Sequence, residues 1–252
     1  MQTITFIGNG NMALSIAQGL KTKYNIEVVG RDMDKLDKFE IDLGIKVDKY
    51  ILNNFDTSDK NIILCVKPNN IDSVGAKLQG RAKLLISVLA GTTLDRLKET
   101  IEAKSIVRAM PNLASSVGKS MTTLTGNTTY KNEALLLMGA IGKTLWLESE
   151  KEIDVATALA GSGPAYLALI AEALADGAVK QGLKRADAMS IMKGLFDGFG
   201  TLIQDTHPAL LKDAVMSPAG TTAYGYSALE DGNVRASCMN AIKRASYRAK
   251  EL

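Results

Sequence analysis

Over the first part of the chain, short apolar and β-branched runs alternate with stretches of helical periodicity. The runs cover residues 3–8, 26–29, 62–66, 84–89, 105–110, 121–125 and 144–147. Two of them, Ile62-Ile63-Leu64-Cys65-Val66 and Leu84-Leu85-Ile86-Ser87-Val88-Leu89, are apolar almost throughout instead of alternating. A strand reads that way when both its faces are covered, as in a parallel sheet with helices on each side. Strand, helix and strand recurring at this spacing predict an α/β fold with a doubly wound parallel sheet.

Beyond Glu148 the β-branched runs stop, and the rest of the chain, rich in Ala, Leu, Met and Lys, reads as helix. The domain boundary is therefore expected near 148–152, with a nucleotide-type domain over residues 1–148 and an all-α domain over 149–252. Residues 164–183 are small and apolar on nearly every side, including Ala165, Leu167, Leu169, Ile170, Ala173 and Leu174. Such a helix must be covered all round. About a hundred residues of helix cannot do that unaided, so a second copy of the chain is expected to contribute. Pro164 suits the first position of this helix, with Ser162 as its cap.

Composition narrows the partners. The 252 residues are 46% hydrophobic and 23% charged, as in a soluble globular protein. Thirty basic against 27 acidic residues leave a net charge of +3, without the basic run that nucleic acid or an anionic membrane requires. Neither a signal-type segment nor an apolar run approaching the length of a membrane span is evident, so a cytoplasmic protein is expected. Cys65 and Cys238 both fall in apolar stretches and read as buried free thiols. One histidine and no Cys/His cluster give too few ligands for a metal site.

The sharpest local signal is Gly8-Asn9-Gly10-Asn11-Met12-Ala13, between the first strand and a helix expected to end near Tyr24. Gly8 permits the tight turn, Gly10 lets the main chain approach a pyrophosphate, and Ala13 packs helix on strand. Ile7, Asn9, Asn11 and Met12 complete the cradle, and the helix N-terminus offers N–H groups to phosphate. At the end of the second strand, where NAD-binding chains usually carry an acidic residue, this chain has Val29-Gly30-Arg31-Asp32. Arg31 suits a 2′-phosphate and tilts the cofactor toward NADP, with Asp32 and Asp34 as opposing signals. Three further loops fall where ligands bind in open sheets: Val66-Lys67-Pro68, Leu89-Ala90-Gly91 and Met110-Pro111-Asn112.

Two stretches of the helical half are unusual for helix connections: Ala160-Gly161-Ser162-Gly163-Pro164-Ala165-Tyr166 and Ser217-Pro218-Ala219-Gly220-Thr221-Thr222. The second is either an ordinary helix cap or a nest of N–H donors for a small carboxylate, and spacing alone leaves both open.

Taken together, the glycine turn, Val66-Lys67-Pro68, Ala90-Gly91, Arg108-Ala109-Met110-Pro111-Asn112, residues 160–166 and residues 213–222 resemble the pyrroline-5-carboxylate reductase family, in order along the whole chain. The resemblance implies a Rossmann-type domain preferring NADPH and a helical domain that dimerises, with dimers assembling further into rings. It also implies that Ser217, Ala219, Gly220, Thr221 and Thr222 hold the substrate carboxylate, with the Thr222 hydroxyl near the ring nitrogen. This loop would complete the site on the partner subunit's nucleotide domain. The chain departs from the family pattern at Leu113-Ala114, where Thr-Pro is usual, and at Ala219, where Gly is usual. If position 219 needs a positive φ, alanine there costs about 1 kcal/mol or more.

The activity implied is hydride transfer from NADPH to the cyclic imine, giving proline. A protonated imine is already activated, so positioning matters more than a strong acid, and Thr222 would hold the ring nitrogen. His207, before Pro208, reads as a helix cap, Lys67 as a cofactor-wall residue, and Asp197, Asp205 and Asp213 as solvated. The alternatives are a related enzyme acting on another small imino or hydroxy acid, and a non-enzymatic NADP sensor. The hydroxy-acid enzymes need a lysine early in the first long helix of the second domain, where this chain reaches Lys180 only about four turns in.

Overall fold

A computed structural model describes residues 1–251 of the chain. They form two compact units, Met1–Ser162 joined by residues 244–251, and Gly163–Lys243. The second unit begins later than residue 149. The helix that opens the helical half, Glu150–Ala156, buries Ile153 within the first unit, and its acidic groups pair with Arg108 there.

In the first unit the strands are β1 (Thr3–Ile7), β2 (Asn25–Gly30), β3 (Asp48–Ile51), β4 (Phe55–Asp56), β5 (Asn61–Leu64), β6 (Leu78–Gln79), β7 (Ala82–Ser87), β8 (Ala103–Met110), β9 (Ser120–Gly126) and β10 (Gly142–Trp146). Eight build one sheet in the order β10-β9-β8-β7-β5-β1-β2-β3, while β4 and β6 pair by themselves. The helices are α1 (Asn11–Leu20), α2 (Met33–Leu43), α3 (Ile71–Gly75), α4 (Leu94–Thr100), α5 (Lys131–Gly139) and α6 (Glu150–Ala156). All seven sequence-derived strands are present, and the doubly wound reading holds.

The continuous apolar runs have the expected cause. Along β1, β5 and β7 successive residues enter opposite cores. Ile4, Phe6, Ile63, Leu84 and Ile86 join α1, α2 and α5 on one face, while Ile7, Ile62, Leu64 and Leu85 join α3 and α4 on the other. α1 contributes Ala13, Ile16, Ala17 and Leu20, the spacing of one helical face. Each fully buried aliphatic side chain in these layers adds about 1.5–3 kcal/mol.

Two features depart from the sequence reading. The pattern gave no strand between residues 30 and 61, yet β3 lies at the sheet edge beside β2. Its Asp48-Lys49-Tyr50-Ile51 is largely exposed, and a charged edge strand carries no apolar run to read. The sheet is also not parallel throughout, because β9 runs antiparallel to β8. Residues 111–119 between them are too few for a parallel crossover. They form a 3₁₀ stretch, Leu113–Val117, closed by left-handed Gly118. Helix α5 then provides a crossover, and β10 lies parallel to β9.

The second unit contains α7 (Gly163–Lys180), α8 (Arg185–Leu202), α9 (Pro208–Val215), α10 (Thr221–Asp231) and most of α11 (Val234–Lys250). Between residues 163 and 243 only Ala175 and Ala188 are buried, while Leu169 (66% exposed), Ile191 (59%) and Leu210 (63%) lie open in the single chain. The expectation of an incompletely covered helical domain follows directly from these side chains. Cys238, expected to be buried, is exposed here, whereas Cys65 is half-buried.

Ser162 is the C-cap of the π-turn before α7, not the N-cap of that helix. The helix runs without a break from α6 through a π-turn, Thr157–Gly161, into α7, and the stretch Glu150–Lys180 is long and apolar enough to cross a membrane by length and composition. The pattern alone hides this run, because Gly161, Gly163 and Pro164 look like an interruption.

Gly126 ends β9 beside Val107 of the antiparallel β8, at φ +141°, where a Cβ would run into the backbone of Ile106 and Val107. Gly126→Ala is expected to destabilise the first unit by about 2 kcal/mol or more, read from the urea midpoint. An unchanged midpoint would mean that this register is not the one formed.

Candidate functional site: the nucleotide cleft and the Ser217–Thr222 loop

The carboxyl ends of β1, β2 and β5 enclose a cleft of about 180 Å³, lined among others by Gly8, Gly10, Gly30, Arg31, Val66 and Lys67. Gly8 sits at φ +105°, and a Cβ there would lie 2.6 Å from the Cys65 carbonyl oxygen. A side chain at this position would therefore break the approach of β1 to β5. Gly10 has open space where a Cβ would be, and it forms the N-cap of α1 with no side-chain cap. The first N–H groups of α1 are left to face the cleft, as a pyrophosphate cradle requires. α1 ends at Leu20, short of Tyr24, and a turn completes the path to β2.

The two signals at the end of β2 separate cleanly. The Asp32 carboxylate caps α2, accepting from the N–H groups of Asp34 (3.1 Å) and Lys35 (3.4 Å). It is thereby occupied, while Arg31 is exposed at the cleft with Lys67 on the opposite wall. Pro68 opens a short 3₁₀ turn for which Lys67 is the N-cap. Burial pushes the Cys65 thiol well above its usual range, so it stays neutral beneath the turn.

Asn112, expected at the cofactor, has a side chain committed to the protein. Its Oδ1 accepts from Ala114 N–H (3.1 Å) and its Nδ2 donates to the Ala160 carbonyl (2.9 Å). Residue 160 is four before Pro164, and a proline has no N–H with which to satisfy that carbonyl. Asn112 thus supplies the donor that Pro164 lacks, at the point where the helix relaxes into its π-turn. The loop holding it is further tied by Asn112 N–H to Ser120 Oγ (3.1 Å) and by Ser15 to Ser115 (2.6 Å), the latter a bond to α1.

Arg108 escaped the sequence reading as a functional group. It lies in β8 only 2% exposed, with Nη1 on Glu150 (2.8 Å) and Nη2 on Asp154 (3.1 Å). The Glu150 oxygen that accepts from Arg108 also accepts from Leu94 N–H (2.8 Å), at the start of α4. An arginine in a strand flanked by Ile106, Val107 and Ala109 was the available signal, since a buried guanidinium demands carboxylates.

In the second unit, Ser217, Pro218, Ala219 and Gly220 form a turn closed by Gly220 N–H on the Ser217 carbonyl (3.0 Å). Ala219 has φ +57°. Proline second and a positive φ third are the requirements of a type II turn. Gly220 is the N-cap of α10, and no side chain caps that helix. The cap alternative therefore falls away: neither Ser217 nor Thr221 nor Thr222 occupies the helix end, and Thr221 and Thr222 stand in its exposed first turn. His207, by contrast, does cap α9, its Nδ1 accepting from Ala209 N–H (3.2 Å).

The left-handed alanine carries a cost that glycine would not. Replacing it with Gly removes about 1–2 kcal/mol of left-handed strain and returns about 0.4–1 kcal/mol through the freer unfolded chain. Ala219→Gly is thus expected to stabilise the loop by about 0.5–1 kcal/mol, seen as slower amide exchange from residue 216 to 222. Faster exchange would show that the alanine is not strained.

The comparisons with known proteins divide the chain at residue 150, where the sequence turns to helix. Residues 150–252 match the family model described as pyrroline-5-carboxylate reductase dimerisation, and residues 3–91 match NADP oxidoreductase, coenzyme F420-dependent. The chain is 36% identical to a pyrroline-5-carboxylate reductase of Arabidopsis thaliana, covering 99% of this chain and 95% of that one, and 38% identical to one of Glycine max, covering 99% and 96%. The crystal structure of 1-pyrroline-5-carboxylate reductase from Streptococcus pyogenes superposes with a TM-score of 0.88 at 32% identity, over 99% and 98% of the two chains. That of Plasmodium falciparum pyrroline carboxylate reductase, with NADP bound, gives 0.80 at 27% identity over 99% and 98%. By sequence over its full length and by fold, the chain belongs to the pyrroline-5-carboxylate reductase family.

Proposed function

We propose that the protein reduces L-1-pyrroline-5-carboxylate to L-proline with NADPH, the last step of proline biosynthesis, and that it does so in the cytoplasm as a homodimer that can assemble into a ring. The full-length similarity to enzymes of that name carries the reading, joined to the intact phosphate turn at Gly8 and Gly10. Free thiols at Cys65 and the exposed Cys238 suit a reducing compartment.

NADPH, when bound, supplies the hydride. Gly8, Asn9, Gly10, Asn11 and Met12, with Ile7, would hold its pyrophosphate through main-chain donors at the α1 N-terminus. Arg31, freed by the commitment of Asp32 to capping, would pair with the 2′-phosphate and favour NADPH over NADH. Val66, Lys67 and Pro68 would form one wall, and Leu89, Ala90 and Gly91 another. Asn112 would act through the main chain it holds in place, since its side chain is engaged.

The substrate carboxylate would lie at the uncapped α10 N-terminus, among Ser217, Ala219, Gly220, Thr221 and Thr222, and the Thr222 hydroxyl would hold the ring nitrogen. No strong acid is needed, because the imine accepts its proton from solvent before reduction. His207 is occupied as a cap and is not required for this chemistry.

The apolar side chains of the helical unit need a cover, and the match of residues 150–252 to a dimerisation family favours a second copy over a membrane for Glu150–Lys180. Light scattering is expected to give at least twice the 26.9 kDa of one chain. A monodisperse monomer would overturn the dimer, and recovery only with membranes would favour the other cover.

The reaction is tested by loss of reduced-nicotinamide absorbance with pyrroline-5-carboxylate beside a panel of keto acids. Turnover with the imine alone is expected, and Thr222→Ala should lower it about 10–100-fold, a loss of about 1.4–2.7 kcal/mol. Turnover with keto acids alone would overturn the assignment, while unchanged activity in Thr222→Ala would remove that hydroxyl from the mechanism.

A further inference from the structure

The loop from Val88 to Thr93 is fixed at one end by β7. At the other end it enters α4 at Leu94, whose N–H donates to Glu150 Oε1 at 2.8 Å. The same oxygen accepts from Arg108 Nη1, also at 2.8 Å. Arg108 is almost wholly buried, and its second carboxylate, Asp154, has no bond to the loop. A buried guanidinium is costly to leave short of a partner, so it holds Glu150 in one place. That oxygen in turn fixes where α4 begins. The loop so pinned contains Leu89, Ala90 and Gly91.

We propose that Glu150 is a positioning residue for hydride transfer: held by Arg108, it fixes the Leu94 amide and thereby the wall formed by residues 89–91. The proposal rests on the reading above that this wall meets the nicotinamide. Glu150 and Arg108 touch neither cofactor nor substrate in this account. They act through the loop, where a displacement of about 1 Å can cost up to about a hundredfold in rate.

Three variants separate the contact. Leu94→Ala is the control for packing: it loses the side chain that rests on the core but keeps the N–H, and should leave exchange from residue 89 to 93 slower than in Leu94→Pro. Leu94→Pro deletes the N–H but leaves Arg108 both its carboxylates. Proline is favoured at the first position of a helix, and Thr93 is already extended (φ −73°, ψ 159°), as a residue before proline must be. Asp154→Asn removes a charge partner of Arg108 but no bond to the loop. Glu150→Ala and Glu150→Gln then compare loss of the acceptor with loss of its charge alone.

Both Leu94→Pro and Glu150→Ala are expected to lower kcat about tenfold, with the KM for NADPH changed less than about twofold and a larger isotope effect with 4-deuterated NADPH. Glu150→Gln, which keeps an acceptor oxygen, should recover most of the loss, and Asp154→Asn should keep kcat near that of the parent protein. Without substrate or cofactor, amide exchange from residue 89 to 93 should accelerate in Leu94→Pro and Glu150→Ala but not in Asp154→Asn. Equal losses of kcat in Asp154→Asn and Glu150→Ala, or unchanged exchange in Leu94→Pro, would overturn the proposal. If the parent protein does not reduce the imine, the reaction assignment fails by itself, and the exchange measurement still decides whether Glu150 pins the loop.

Discussion

A single buried charge organises the junction between sheet and helix. Arg108 enters the sheet among aliphatic neighbours, and a guanidinium there is tolerated only because Glu150 and Asp154 reach it from α6. That requirement sets the helix against β8 and β9, and the Leu94 amide shares the arrangement. Just past the end of the same strand, Asn112 donates to the Ala160 carbonyl that Pro164 cannot satisfy. These two polar contacts from the end of β8 hold the first turns of a helix that is otherwise nearly featureless in alanine and leucine. Apolar packing alone would leave such a helix free to rotate or slide, whereas fixed donors and acceptors admit one register.

The phosphate turn and the Ser217–Thr222 loop use the same physics in different units. Each is a tight turn entering a helix, each N-cap is a glycine, and neither helix end is capped by a side chain. A side-chain cap would stabilise the helix by about 1 kcal/mol but would occupy the N–H groups that an anion needs. Side chains cap α6 at Ser149 and α2 at Asp32, while α3, α5 and α8, like α1 and α10, have no side-chain cap.

Much of this was legible before the structure. The two-sided apolar strands, the glycine turn and the change to helix after Glu148 are local patterns, and they gave the sheet and the domain types. The positive φ of Ala219 was anticipated from the glycine usual at that position. What stayed hidden depends on tertiary partners. β3 carries charges at an edge, so it has no apolar signature. The direction of β9 follows from the length of a loop, not from the composition of the strand. Ser162 and Pro164 look like a helix start in sequence. The donor from Asn112, 48 positions away, meets the Ala160 carbonyl just before them. The bond from Asn112 to the Ala160 carbonyl likewise needs both segments in view. Arg108 was quoted within a motif, yet its function is set by residues on another element.

The central claim is that this fold delivers a hydride to the imine carbon of a five-membered ring. The most direct measurement is to run the reaction with NADPH deuterated at C4 on the transferred face and locate the label in the product. Proline carrying one deuterium, at C5, is expected. Proline without label, or label recovered only in a hydroxy acid, would contradict it.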